Sequence, residues 1–370
     1  MSARPDSARL ARSNVAAVIL DAAGHERTAV RADGALVEAT PDGRGGWYAW
    51  GTFRQIGGVE VHGLAHLDRD GRVNPTWRPR LSAGASDGVE ASVIAGGGRV
   101  YLAGDFGSIN GVVRAGLGAV DARSSTLDRR WVPPVKDAQL SPLAIAAGRV
   151  FVGVGEQVKA LDINSGVPVP RFRVRTGPDN TEGPGVRALA SVGSWLYVGG
   201  RFTKINGVRR VGLARVDVRT GRVDLAWRPP VLDTSPCGGC DGDVMGLAFS
   251  HGRLYVLGGF SAADRVRTPG GLAALAASTG RPSDFRAPTP GPDAAGDNGT
   301  YGSVTQLGQR LFVAGDYGDA GKTHAHGLAI LDARSGAALS GWHPASPRAT
   351  TLVAVASDSR VLIAGDHITP

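Results

Sequence analysis

The sequence predicts an all-β fold, a seven-bladed β-propeller of four-stranded antiparallel blades, and three observations carry that prediction. A strand-rich unit recurs along the chain, two landmarks inside the unit keep step, and the final copy lacks two strands that the start of the chain can supply. Four strands per repeat at a period near fifty residues is the signature of a propeller, whose sheets bury both faces against their neighbours.

The clearest copy is 186–230, with an apolar run, then WLYVGG, a polar connection through Asn206-Gly207, an alternating run, a Thr220-Gly221 turn and a closing Trp-Arg-Pro-Pro. Runs of this length bounded by Gly, Asn and Pro are strands. Anchored on Gly200, the copies fall at Gly51, Gly104, Val154, Gly200, Gly258, Gly315 and Gly365, with spacings of 53, 50, 46, 58, 57 and 50 residues. The second landmark is aromatic: Trp77, Trp131, Phe172, Trp227, Phe285 and Trp342 follow their anchors by 26, 27, 18, 27, 27 and 27 residues. They are expected to be buried between blades.

In chain order, residues 1–13 are polar and basic and read as a disordered lead-in, in which no secretory signal is visible. Residues 14–31 match the third and fourth strands of a blade, whereas the last copy, 352–370, holds only two. The seventh blade is therefore expected to be shared between 14–31 and 352–370, which removes both open sheet edges. The single propeller spans 14–370. First-to-second and third-to-fourth connections are tight and fall on one rim, where Arg253 and Arg360 are expected to be inert. The second-to-third loops and the blade-to-blade linkers are long and fall on the other, where binding functions concentrate. That rim gathers Arg54, Lys204, Arg209, Arg210, Arg265, Arg267, Lys322, His324 and His326 as candidate ligand-binding residues. Blade 3 replaces its loop by a tight turn at 154–158, so the rim is expected to be notched there.

The phrases LYVGGRFTKINGVRRVGLARVDVRTGRVDLAWRP and VYLAGDFGSINGVVRAGLGAVD resemble the delta-60 type bacterial propeller repeat. The resemblance covers nearly the whole chain and is weakest in blades 3 and 5. It implies a propeller in a cell-surface or secreted setting, and it transfers no catalytic residue.

Composition narrows the function classes. No stretch approaches the roughly 20 apolar residues of a membrane span. The formal charge of +8 invites nucleic acid, but the basic residues are scattered through all blades without aromatic interleaving, which argues against it. Asp105, Asp316 and Asp366 each follow a glycine anchor, and carboxylates facing one another there would suit Ca²⁺; the alternative is that each accepts loop amides. No other cofactor is expected. Cys237 and Cys240 form one CxxC with no second pair, read as a small disulfide outside the reducing cytosol. The functional expectation is a monomeric, non-catalytic binding or scaffold module for a glycan or protein. The rival is an enzyme at the channel mouth, glycan-active or using a quinone-type cofactor.

Overall fold

Short apolar runs fold here because Asp turns stop each strand and return it. In the turns after the third strands, one carboxylate oxygen of Asp121, Asp162, Asp217 or Asp332 accepts two following amides and a Ser or Thr hydroxyl. A computed structural model describes residues 14–83, 91–135, 138, 141–177, 185–233, 243–292, 300–325, 327–339 and 352–368.

Six sheets share an antiparallel core of three strands. The first joins Leu36–Pro41, Trp47–Gly51 and Leu64–Leu67, and the second Ala91–Gly96, Arg99–Gly104 and Leu117–Asp121. The third holds Leu143–Ala146, Arg149–Val154 and Gln157–Asp162, and the fourth Val186–Val192, Trp195–Gly200 and Leu213–Asp217. Asp243–Ser250, Arg253–Gly259 and Leu272–Ala276 form the fifth; Thr300–Leu307, Arg310–Asp316 and Leu328–Asp332 form the sixth. A further seam sheet runs Leu352–Ser357, Arg360–Ile368, Asn14–Asp21, Glu26–Ala32. In it the start of the chain pairs with the end, from Val15 opposite Ile368 to Asp21 opposite Arg360.

The leading strands neighbour one another in cyclic order. Leu36–Pro41 lies beside Ala91–Gly96, the order continues through the remaining sheets, and Leu352–Ser357 returns to Leu36–Pro41. Sheets packed face to face in a closed ring are the β-propeller architecture. The core is accordingly divided into wedges at the junctions. Val15, Val18 and Leu20 of the seam pack on Phe312 and Ile330 of the sixth sheet, while Trp50 and Leu64 of the first meet Val100 and Leu102 of the second.

The aromatic landmarks fill these wedges: Trp77, Trp131 and Trp227 are fully buried and Phe172 and Phe285 nearly so. Trp342 lies outside the described residues. Each indole N–H also reaches the next sheet, Trp77 donating to Asp121 O, Trp131 to Asp162 O and Trp227 to Ala277 O, at 3.2, 3.2 and 3.0 Å. The glycine anchors have a different cause. A Cβ at Gly51 would lie 2.0 Å from Ala35 O and one at Gly258 1.9 Å from Asp243 O, because the incoming linker passes directly over the end of the second strand.

Among the described residues, the expected fourth strand is not formed at its expected place in the six sheets. It contracts to a single bridge in each, such as Val120 opposite Leu127 and Val216 opposite Val223. Asp128 accepts the amides of Arg130 and Trp131, Asp224 those of Ala226 and Trp227, and each turns the chain away. The prolines that follow Trp131 and Trp227 have no N–H for a ladder. Among the described residues the seam sheet has a full fourth strand, Glu26–Ala32, and the third sheet gains a short one, Val174–Gly177.

Candidate functional site

The long-loop rim is a series of small hairpins stitched to the linkers. Gln55–Ile56 with Val59–Glu60, Phe106–Ile109 with Val112–Val113, Lys204–Ile205 with Val208–Arg209, Ala262–Ala263 with Val266–Arg267, and Asp319–Ala320 with Thr323–His324 are the pairs. Each joins the strand or linker that leaves the preceding sheet: Ile56 pairs with Ala32, Ile109 with Leu81, Ile205 with Thr176, Ala263 with Leu232 and Ala320 with Pro290.

Asn110, Asn206 and Asp264 explain why Asn-Gly recurs. Each takes the left-handed turn position, at φ 50°, 47° and 47°, which Asn and Asp tolerate better than most residues. Each side chain then accepts the linker amide, from Arg80, Arg175 and Val231 respectively, at 2.8, 2.9 and 2.8 Å. Backbone and turn side chains thus fix the rim and leave the remaining side chains to solvent.

Arg54, Lys204, Arg209, Arg265, Arg267, Lys322 and His324 are exposed and spread over four hairpins. They do not converge on one point. His324 faces Asp319 of its own hairpin at 2.5 Å, and His326 lies outside the described residues. Arg210 departs from the expectation: its guanidinium turns inward and donates to the carbonyls of Arg209, Asp224 and Trp227, at 3.0, 3.3 and 3.1 Å. It secures the hairpin to the Trp227 turn, and with Arg209 and Arg228 it borders a cleft of about 420 Å³.

The expected notch is filled. Val174–Gly177 pairs with the third sheet at Gln157–Arg175 and Val158–Val174, and with the next hairpin through Thr176. Thr176 donates both its amide and its hydroxyl to Glu156 O, so linker and tight turn are locked together.

Asp105 and Asp316 are half-buried at the ends of second strands, and the side chain of Asp366 lies outside the described residues. Among the described residues no three His, Cys, Asp or Glu side chains come together as a metal site requires. Cys237 and Cys240 also fall outside them.

The tight-turn rim is not inert. Arg253 donates to Ala333 O and Arg334 O of the sixth sheet, and Arg360 to Arg69 O and Asp70 of the first. Arg149 reaches Val218 O and Arg219 O in the same way, Arg99 reaches Ile163 O, and Arg310 reaches Ala22 O. Tyr48, Tyr101, Tyr197 and Tyr255 add hydroxyl bonds to Ala122 O, Ile163 O, Ala277 O and Ala333 O. Every latch runs from one sheet to a neighbour. The signal was present in the sequence, since an Arg opens the second strand in five copies.

One constellation on this rim escaped sequence reading. His66 Nε2 lies 2.9 Å from the buried carboxylate of Asp42, Asn74 lies 3.4 Å from His66 Nδ1, and Tyr48 stacks on the imidazole at 4.6 Å. They border a cleft of about 470 Å³ with Arg44, Arg99 and Arg123. Burial alone would raise the Asp42 carboxyl, but hydrogen bonds from His66 and the amides of Arg44 and Gly46 outweigh it and hold it below the usual range. Burial, reinforced by Asp42, pushes the Tyr48 hydroxyl up to about 12. Nearby, Glu38 crosses from the first to the second leading strand and accepts the Val93 amide at 3.2 Å. Burial pushes its carboxyl up to about 7 against the hydrogen bonds from Val93 and Ser92.

Neither a protein-family model nor a curated protein matches the sequence. Among solved structures, the chain is similar to the computationally designed Ika8 protein, with a TM-score of 0.50 and 12% identity over 96% of each chain. It aligns at a TM-score of 0.47 and 16% identity with BamB from Moraxella catarrhalis, over 94% of this chain and 90% of that one. With the Pan2 WD40 domain of Neurospora crassa the values are 0.45 and 13%, over 72% and 69%. At such identities a likeness is one of fold only. The ladders and the cyclic order of the sheets make the chain an all-β protein of the β-propeller type.

Proposed function

We propose that the chain is a seven-bladed propeller of the delta-60 repeat type, acting as a non-catalytic binding module for a glycan or protein at the cell surface or in the secreted state. Seven leading strands in cyclic order support the blade count. The observation that carries the binding reading is the hairpin rim, where the backbone is spent on linker pairing while Lys204, Arg209, Arg265 and Arg267 stand exposed. A rigid scaffold with free cationic side chains suits an extended anionic partner, because little ordering entropy is lost on binding. A Cys237–Cys240 disulfide would accord with an oxidising compartment.

The enzyme reading has weaker support. It needs a carboxylate and His aimed at open space, and both ring nitrogens of His66 already face partners. The test is a glycan array, with an acidic-protein panel beside it, read with wild type and with the Lys204→Glu, Arg209→Glu, Arg265→Glu, Arg267→Glu variant. Binding should be lost while the melting temperature stays nearly unchanged, since exposed charges contribute little to folding. Retained binding in that variant would overturn the assignment to this rim.

A further inference from the structure

The outer flank of the second sheet carries a cleft of about 730 Å³ between the linker after Trp77, the hairpin at 106–113 and the turn at 124–127. That lies within the range of small-molecule sites, about 300–1,000 Å³. None of the candidate residues read from the sequence lines it. Its cause is one residue. In the corresponding turns Gly71, Gly166, Gly221, Gly280 and Gly336 take the left-handed conformation, at φ between 73° and 84°, whereas the second sheet has Ser125 there at φ 56°.

At the glycine turns the preceding linker closes down on the turn. A Cβ at Gly221, Gly280 or Gly336 would lie 2.6, 2.9 or 2.4 Å from the carbonyl oxygen of Arg173, Arg228 or Arg286. Backbone bonds complete the closure, from Arg228 N to Thr279 O and from Arg286 N to Ser335 O. At the second sheet the serine side chain stands in the gap, and Arg78 N donates to Ser125 Oγ at 3.1 Å instead. The linker is wedged off the turn at the cost of a non-glycine residue in a left-handed conformation. Such strain persists where the surroundings over-determine it, and it clusters at ligand sites.

The chemistry of the opened cleft is specific. Arg78, Arg80 and Arg129 border it and are exposed. The nearest acid in sequence, Asp128, is committed to Arg99 at 2.7 Å, and Asp121 Oδ1 is occupied by its own turn. Arg114, buried beside Arg129, adds a positive charge that Asp128 offsets only in part. Between the arginines, the Ser82 and Ser108 hydroxyls lie 2.8 Å apart at the wall, and Leu81 and Leu127 supply an apolar floor. Guanidinia bind sulfate and carboxylate bidentately, hydroxyls serve ring hydroxyls, and an apolar floor takes the C–H face of a sugar.

We propose that this cleft is an anionic-saccharide site, in which Arg78, Arg80 and Arg129 hold the acidic substituents of a sulfated sugar and Ser125 holds the cleft open. The proposal rests on the binding-module reading for its ligand class, but uses a different surface.

Isothermal titration at about 50 mM salt with a sulfated disaccharide, its unsulfated parent and inorganic sulfate tests it. Wild type should bind the sulfated disaccharide alone with measurable affinity. Arg78→Ala, Arg80→Ala, Arg129→Ala together should weaken binding by at least about 30-fold, as loss of several charge-assisted contacts requires. Ser125→Gly should weaken it several-fold while raising the melting temperature, because glycine relieves the strain and lets the linker close. Equal binding of the unsulfated parent, equal binding of inorganic sulfate, absence of binding by wild type, or full affinity in a folded triple variant would each overturn the proposal. If affinity survives that variant and is lost on reversing Lys204, Arg209, Arg265 and Arg267, the hairpin reading stands and the cleft assignment falls.

Discussion

The two rims of this ring are held by opposite means. On the tight-turn rim, side chains cross from sheet to sheet and end on backbone carbonyls, as Arg253, Arg360, Tyr101 and Tyr255 do. On the other rim the backbone itself crosses, through the hairpin-to-linker pairs, with Asn110 and Asn206 as pins. The consequence is a division of labour among like residues. An arginine that opens a second strand is structural, whereas one on a hairpin is available to a partner unless, like Arg210, it turns inward.

The largest test of this contrast removes what both rims depend on, closure of the ring. Deleting residues 1–31 would leave one edge of Arg360–Ile368 unpaired and uncover Phe312 and Ile330 of the sixth sheet. The expected outcome is aggregation or a melting temperature lowered by more than about 15 °C; size exclusion and calorimetry showing a wild-type monomer would contradict closure through the seam. Next come the wedges. Trp77→Ala, Trp131→Ala and Trp227→Ala should each cost about 3–5 kcal/mol in urea unfolding, and losses under about 1 kcal/mol at all three would mean the wedges collapse around the cavity.

The rims themselves separate at a finer scale. Arg253→Ala and Arg360→Ala should each cost about 1–2 kcal/mol, because they strand carbonyls of a neighbouring turn. Arg209→Ala and Arg265→Ala should stay within about 0.5 kcal/mol. Equal costs on both rims would erase the distinction.

The smallest effect is a pH dependence. Glu38 has a folded pKa of about 7 against an ordinary 4.5, so the folded state holds its proton longer than the unfolded state. Its contribution is complete below about 4.5 and is lost as the pH rises to about 7. Glu38→Gln should flatten that part of the stability curve by on the order of 1 kcal/mol, after discounting for partial solvent access. An unchanged slope between pH 4.5 and 7 would show the carboxyl to be solvated.

What was legible in the sequence was what repeats. The Trp landmarks, the glycine anchors and the Asn-Gly turns recur, and each had its place in the fold. The Arg latches recur too, but their acceptors are carbonyls, which every residue carries, so no acceptor stood out. The fourth strand was over-read because Val73, Val223 and their counterparts keep the strand pattern while Asp and Pro nearby divert the chain. The notch at blade 3 is filled by a linker whose pairing depends on three-dimensional proximity. The Asp42–His66–Asn74 cluster and the Ser125 cleft each occur once, and no periodicity announces a single copy.

The seam also sets a timetable. Asn14–Asp21 leaves the ribosome before its partner Arg360–Ile368, which is made some 340 residues later. At about 5–20 residues per second, that interval is roughly 17–70 s. Throughout it an apolar strand, NVAAVILD, has one edge unpaired. Until that partner is made, the ring is an open arc whose leading edge must be shielded or remain idle, and the arrival of the partner closes it.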